Sequence, residues 1–322
     1  MTSSSSTGHG EPTRRDPHRS SLDVVTGAFS YSGAAIARNL QAAGRRVRPL
    51  TGHPQRRPTS SPIEVRPLSF DDSNELVESL RGAETLYNTY WVRFPHGRID
   101  FQTAVANSRA LFEAAHMAAV ERIVHVSITH ADLSSPYAYF RGKAEVEQIL
   151  TQVGVSFTIL RPATLFGGQG VLLNNIAWLL RRLPVFAIGG SGDYRIRPIH
   201  VDDLARLAVK AGADHHNEVV DAVGPERPTF EELVRLLRDA VHSRARLVHV
   251  PSSVVPHLAT LLGLGLRDRL LTADEYRALE DGLADTDGPF TGEVRLSHWV
   301  SENAESLGVR YANELGRHFE GT

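Results

Sequence analysis

Tyr139 and Lys143 stand four positions apart in the stretch SSPYAYFRGKAEVE. On a helix, that spacing puts both on one face. A phenol with a pKa near ~10 is a poor acid–base group at neutral pH, and a neighbouring ammonium favours its phenolate. Lys143 is one of two lysines in the chain, the other being Lys210, among 35 lysines and arginines together. A slim ammonium can hold ribose hydroxyls while facing a phenol, a task for which a flat, wide guanidinium is no equivalent. Tyr137 and Arg141 repeat the spacing without the lysine, so Tyr137 reads as a pocket-wall residue. Ser127 ends an apolar run upstream of Tyr139. A hydroxyl there can bond a substrate oxygen and orient it toward Tyr139, with Thr129 in reserve. The pattern predicts proton transfer at an oxygen atom by Ser127, Tyr139 and Lys143.

A second group of residues has the spacing to hold a phosphate. In VVTGAFSYSGAAIARNL an apolar run turns into a helical pattern. Gly27 can make the tight turn, and Gly33 lets helix and strand approach closely. The helix start offers free N–H groups and a positive dipole end to a pyrophosphate. Phe29, Ser30 and Tyr31 fill the turn, with Ser30 where a middle glycine is expected. After the next strand, Thr51, Gly52 and His53 stand where NAD-type folds place Asp or Glu. No carboxylate there repels a 2′-phosphate, and His53, Arg56 and Arg57 are within reach. NADP is therefore the expected cofactor, with NAD as the alternative.

The elements that must position these groups alternate. LDVVT, RRVRPLT, IEVRPLSF, ETLYNTYW, RIVHVSI and SFTILRPATLF read as strands, and helical patterns separate most of them. NEVVDAV returns as a seventh. Such alternation implies a parallel sheet covered on both faces. The expected fold is α/β, a Rossmann-type doubly wound parallel sheet with a smaller C-terminal mixed α/β substrate lobe. Residues 21–165 form the nucleotide-binding domain, with 200–222 returning to its sheet. Residues 166–199 and 223–322 form the lobe. Beyond Val223 the patterns predict helices over PTFEELVRLLRDAV, SSVVPHLATLL, TADEYRALEDGLA and SENAESLGVRYANELGRHF, with RLVHVP a lone strand.

Composition narrows the function classes. A formal net charge of −2 gives no field to recruit nucleic acid. The chain has no cysteine, which excludes disulfides and thiolate chemistry and fits a reducing, cytoplasmic setting. The first 20 residues are rich in Ser, Pro and Arg, lack an apolar core and read as a disordered tail. No apolar run reaches the length of a membrane span; VVPHLATLLGLGL is too short and is followed by Arg267 and Arg269. Histidines are many but lack metal-ligand spacing, so no metal is expected.

TGAFSYSG, NTYW, VHVSI, YFRGK, LRPATLFG and RPIHVDDLA fall in an order that resembles the short-chain dehydrogenase/reductase superfamily. The likeness is to its extended and atypical branches, the NAD(P)-dependent epimerase/dehydratase-like proteins. The resemblance implies a catalytic role for Ser127, Tyr139 and Lys143, with Lys143 also on the cofactor. It places Gly27, Ser30 and Gly33 at the pyrophosphate, and Ser69 and Phe70 beside the adenine. Asn88, Thr89 and Tyr90 would line the cofactor, and Pro162 and Ala163 would pass near the nicotinamide. His200 and Asp202 would be structural. Trp91 and Arg93 read as part of a substrate lid, and Thr129, Tyr137, Phe166 and Asn175 as further substrate contacts. A small-molecule substrate and a homodimer are implied as partners. The Asp-Glu pair of the family's dehydratases is missing from SITHADL, against sugar dehydration. The leading expectation is an oxidoreductase acting on a carbonyl or secondary alcohol, or an epimerase working through a keto intermediate. YFRGKAEVE and NNIAWLLRRLPVF also resemble the accessory-subunit group of respiratory complex I and NmrA-like regulators. That keeps open a non-catalytic NAD(P)H-binding regulator or assembly subunit.

Overall fold

The computed structural model describes residues 21–52, 64–95, 97 and 99–313. The expected N-terminal tail, and His53, Arg56 and Arg57, lie outside the described residues. The first half alternates β1 (Leu22–Thr26), α1 (Tyr31–Ala42), β2 (Arg46–Thr51), β3 (Arg66–Pro67), α2 (Ser73–Leu80), β4 (Thr85–Asn88), α3 (Phe101–Met117), β5 (Arg122–Val126), α4 (Ala138–Gln152) and β6 (Ser156–Pro162). It continues with β7 (Thr164–Phe166), α5 (Val171–Arg182), β8 (Val185–Gly189), β9 (Pro198–His200), α6 (Val201–Gly212) and β10 (Glu218–Ala222). The remainder holds α7 (Phe230–Ala240), β11 (Arg246–Val250), α8 (Val255–Leu266), α9 (Ala273–Glu280) and α10 (Leu296–Glu302).

The main sheet has the order β10-β6-β5-β4-β1-β2-β3, and each of its pairings is parallel. The order reverses between β1 and β4, the switch point where such sheets open a ligand crevice beyond their carboxyl ends. Strands buried on both faces read as continuous apolar runs; Thr85–Asn88 and Arg122–Val126 are buried throughout. One face packs on α2, α3 and α4 through Leu76, Leu111, Phe112 and Val146. The other packs on α1 and α6 through Ile36, Leu40, Leu204 and Ala208. A separate core around Leu173, Ile188, Leu233, Leu237 and Val300 holds the C-terminal lobe.

Three local readings change. SFTILRPATLF is two strands: the chain leaves the sheet after Pro162, which has no N–H for a ladder, and β7 pairs instead with β9. RLVHVP is not alone, because β11 pairs parallel with β8. The last helix begins earlier than predicted, at Leu296, and stops at Glu302. Gly308 has a φ of 72° and runs close against α5, where a Cβ would lie 2.5 Å from the Trp178 nitrogen. A helix running through Gly308 is incompatible with that turn, and residues 314–319 of the expected helix lie outside the described residues.

Candidate functional site

Helix α4 presents Tyr139, Lys143 and Glu147 at four-residue spacing, one face over two turns. Tyr139 is half-buried in the wall of a large cavity. Its ring packs edge-on against Trp91 at 5.9 Å and Phe101 at 5.8 Å, centroid to centroid. Lys143, one turn on, is 3% exposed. Its ammonium donates to the Val126 carbonyl at 3.0 Å and lies 4.8 Å from the Trp91 ring centroid. Burial lowers its pKa to about 7, while the Glu147 carboxylate acts in the opposite direction. Trp91 therefore touches both the phenol ring and the ammonium. It can lie there because residue 142 is glycine: a Cβ would meet the indole at 2.9 Å. Trp91 packs behind Tyr139 and Lys143 and is not among the residues lining the cavity.

Ser127 turns the other way. Its hydroxyl donates to Oε1 of Glu147 at 2.5 Å, and the Arg161 guanidinium donates to both oxygens of the same carboxylate. Glu147 is 6% exposed, so this is a buried charge held by a fork and a hydroxyl. Glu147, Arg161 and Gly142 were missed from sequence; the signal was the third step of the Tyr139–Lys143 spacing. Thr129 is 1% exposed and donates to the Leu283 carbonyl at 2.9 Å, tying the exit of β5 to the lobe.

Tyr137 also lines the cavity. Its hydroxyl donates to Asp281 at 2.6 Å. Burial and that carboxylate push its pKa up to about 12, which removes it from acid–base work at neutral pH. Arg93, on the cavity wall, donates to Glu275 at 2.7 Å and to the Leu270 carbonyl at 3.3 Å. Asn175 lines the cavity and exchanges amide bonds with the Ala312 backbone at 3.0 and 2.9 Å. Phe166 is fully buried between His200 and Trp299 and does not reach the cavity, so its reading as a substrate contact is corrected. Its register explains this: Phe166 pairs with His200 on β9. His200 itself accepts from the Asp202 N–H at the start of α6.

The glycine turn fits a pyrophosphate. Gly27 has a φ of 62°, and a Cβ on Gly33 would stand 2.2 Å from the Gly27 carbonyl oxygen. The Ser30 hydroxyl donates to that carbonyl at 2.6 Å and does not cap the helix, and the first turn carries no acidic residue. The N-terminus of α1 thus keeps its N–H groups and dipole for an anion. Phe29 is half-buried beside it, and the Tyr31 hydroxyl donates to the Gly167 carbonyl at 2.6 Å on the cavity wall. Ser69 is half-buried; Phe70 packs on Tyr90 at 4.9 Å, and Tyr90 accepts from Asn107 at 2.8 Å. Thr51 is buried at the end of β2, where its carbonyl accepts from Leu68.

Asn88 is fully buried and its amide serves the strand ends. Its Oδ1 accepts from the Thr26 hydroxyl and the Tyr90 N–H, each at 3.0 Å, and its Nδ2 lies 3.0 Å from Nδ1 of His125. Thr89 donates its hydroxyl to the Thr26 carbonyl at 2.7 Å. These two residues fix the crevice floor. Pro162 is buried, with its carbonyl accepting from Thr129, while Ala163 lines the cavity.

The cavity has a volume of about 1170 Å³ and is walled largely by apolar side chains, among them those of α5, α8 and α9. Among the described residues no cluster of His, Asp and Glu is arranged to hold a metal ion. No helix among them is long and apolar enough to cross a membrane.

Residues 27–175 match the family model described as NAD(P)H-binding. The mitochondrial NADH-ubiquinone oxidoreductase 40 kDa subunit of Neurospora crassa is 26% identical over 224 residues, covering 68% of this chain and 59% of its own. The subunit 9 of the NADH dehydrogenase alpha subcomplex from Arabidopsis thaliana is 26% identical over 204 residues, 61% of this chain and 50% of its own. The chain thus spans between half and three fifths of these relatives. An NADPH-dependent quinone oxidoreductase of Escherichia coli, solved with NADPH, superposes with a TM-score of 0.72 at 21% identity, covering 89% of this chain and 99% of that one. A Citrobacter triphenylmethane reductase with NADP(H) gives 0.73 at 19%, covering 88% and 99%. The family model and the relatives agree with the resemblance read from the motifs, and the solved structures share the fold.

Proposed function

We propose that this chain, a member of the extended, atypical branch of the short-chain dehydrogenase/reductase superfamily, is an NAD(P)H-dependent reductase of an apolar carbonyl compound. One observation carries the reading: Tyr139, on the helix face it shares with Lys143, stands in the wall of an apolar cavity that also includes Ala163 and Tyr31, the latter following the glycine turn. Gly27, Ser30 and Gly33 would hold the pyrophosphate, with Phe70 and Tyr90 near the adenine. When bound, the dinucleotide supplies a hydride. Tyr139 gives its phenolic proton to the substrate oxygen as the carbonyl carbon gains the hydride, and the product is the alcohol. The phenolate then regains a proton from solvent. Lys143, with a pKa of about 7, changes charge across neutral pH, and a charged ammonium on that helix face favours the phenolate. For Lys143 to meet a ribose, Trp91 must turn off the ammonium.

The apolar wall favours an acceptor with few hydroxyls, since each unmatched buried hydroxyl costs roughly 1–3 kcal/mol. That disfavours a sugar substrate and an epimerase. Preference for NADP over NAD rests on the missing carboxylate after β2 and on His53, Arg56 and Arg57. Replacing Arg56 and Arg57 by alanine should weaken NADPH about tenfold and leave NADH unchanged by calorimetry. The test of the reductase reading is loss of NADPH absorbance with a panel of apolar ketones, aldehydes and quinones, in the parent and in Tyr139→Phe.

A second reading is a nucleotide-binding subunit without turnover. It is supported by the commitment of Ser127 to Glu147 and of Thr129 to Leu283. The cover of Trp91 on Lys143 and the subunit names of the relatives add to it. NADPH that binds and is oxidised by no member of the panel would favour it.

A further inference from the structure

Helix α8 carries VPHLATLLGLGL, twelve residues without a full charge. A helix apolar all round is ordinarily enclosed on all sides. This one has a single buried residue, Gly263. Its inner face, Val255, Leu258, Ala259 and Leu262 at i, i+3, i+4 and i+7, lines the large cavity. Leu261, which also borders the cavity, is 66% exposed, and Leu264 on the outer face is 73% exposed. Among the described residues, α8 thus faces an apolar cavity on one side and leaves apolar side chains uncovered on the other.

The flanks carry a sign. Val254, just before the helix, is 36% exposed. The helix ends at Arg267 in the left-handed region, and Arg267 and Arg269 are both exposed. Asp268 between them is 7% exposed and accepts from the Tyr311 hydroxyl at 2.6 Å. The Asp268 carboxylate is buried, and the exposed charges flanking it are the two arginines, of which Arg269 also lines the cavity. Arg269 also lies over Phe94, itself on the cavity wall, at 5.2 Å. Twelve helical residues reach about 18 Å, too short for a hydrocarbon core of about 30 Å. Such a segment can lie in an interface and cannot cross it. An anionic bilayer surface offers an apolar layer for Leu261 and Leu264 and phosphates for the two arginines.

We infer that α8 rests in the surface of an anionic membrane and admits an apolar, membrane-borne ligand to the cavity behind it. Docking stands independently, whereas reduction of that ligand rests on the reductase reading. The ligand is of the class of long-chain or polycyclic apolar molecules bearing one carbonyl group.

The full chain is floated with vesicles of phosphatidylcholine, with and without phosphatidylglycerol, at low and high salt. The inference predicts binding to the anionic vesicles, weakened by salt. Leu261→Glu with Leu264→Glu should lower that binding about tenfold or more. Leu261→Ser with Leu264→Ser, a milder pair, should lower it in the same direction. NADPH affinity measured by calorimetry should be unchanged in both pairs. A fluorescent anthroyloxy-stearate should bind the parent in solution and lose about tenfold in Ala259→Trp, which fills the inner face. A parent that does not float with anionic vesicles, or variant pairs that float equally well, overturns the docking. A dimer that depends on Leu261 and Leu264 in a parent that ignores vesicles overturns it too, in favour of a contact between copies. Equal probe binding by parent and Ala259→Trp overturns the ligand assignment. Failure of NADPH to bind sinks the reductase reading and leaves the flotation result standing.

Discussion

Replacing Lys143 by methionine should raise stability at neutral pH and flatten its dependence on pH. Lys143 is 3% exposed, and its ammonium has one carbonyl acceptor and faces an indole ring. Burial lowers its pKa from 10.5 to about 7, against the pull of Glu147. The unfolded chain keeps that proton up to about pH 10.4, whereas the folded chain releases it near 7. Between those values the unfolded state binds more protons, so stability rises with pH through that window. Below it both states are charged and the whole cost of burying the ammonium is present; above it both are neutral. A tenfold change in proton affinity corresponds to about 1.4 kcal/mol, so the window holds at most roughly 5 kcal/mol. Relaxation and water entry reduce this, to about 2–3 kcal/mol. Methionine has the length to pack on Trp91, and its thioether suits an aromatic ring. Urea unfolding at a series of pH values from about 7 to 10 should show a rise in the parent that is absent from Lys143→Met. Parallel profiles for the two proteins would refute the buried-ammonium argument.

Tyr139→Phe should keep nucleotide affinity and lose about 10²–10⁴-fold in turnover, whereas Tyr137→Phe removes only the bond to Asp281 and should change turnover severalfold at most; steady-state kinetics on one substrate separates them. Gly33→Ala puts a Cβ 2.2 Å from the Gly27 carbonyl oxygen, so α1 must lift from the turn, and calorimetry should show NADPH binding lost while circular dichroism keeps its helix signal. Arg161→Met leaves the buried Glu147 carboxylate with Ser127 as its remaining hydrogen-bond partner and should cost about 3 kcal/mol in urea unfolding. Arg161→Lys should recover only part of it, because the ammonium cannot span both oxygens.

The sheet was legible because strands buried on both faces leave short apolar runs, as in Leu22–Thr26 and Arg122–Val126. The glycine turn was legible because only a residue without a Cβ allows the contact of Gly33 on Gly27. Tyr139 and Lys143 share a face because four-residue spacing dictates it on any helix. The direction of the Ser127 hydroxyl was not legible: strand position places the residue, and its χ1 rotamer decides between Glu147 and the cavity. The seat of Trp91 depends on Gly142, a contact between distant parts of the chain that no local pattern carries. Phe166 was misplaced because the strand reading of SFTILRPATLF ran through Pro162, although pairing with β9 turns that side chain into the lobe core. The last helix was misjudged because helical periodicity in SENAESLGVRYANELGRHF outweighed Gly308, and the left-handed turn there is fixed by packing on α5.

The central claim is that a hydride from bound NAD(P)H reaches an apolar acceptor beside Tyr139. Its most direct measurement uses NADPH stereospecifically deuterated at the transferable position, incubated with the parent and a long-chain ketone, with mass spectrometry of the alcohol formed. The account predicts deuterium on the carbinol carbon, from one face of the nicotinamide only, and product lowered about 10²-fold or more in Tyr139→Phe. NADPH bound at saturation, with no deuterated alcohol from ketones or aldehydes of any chain length, would contradict it.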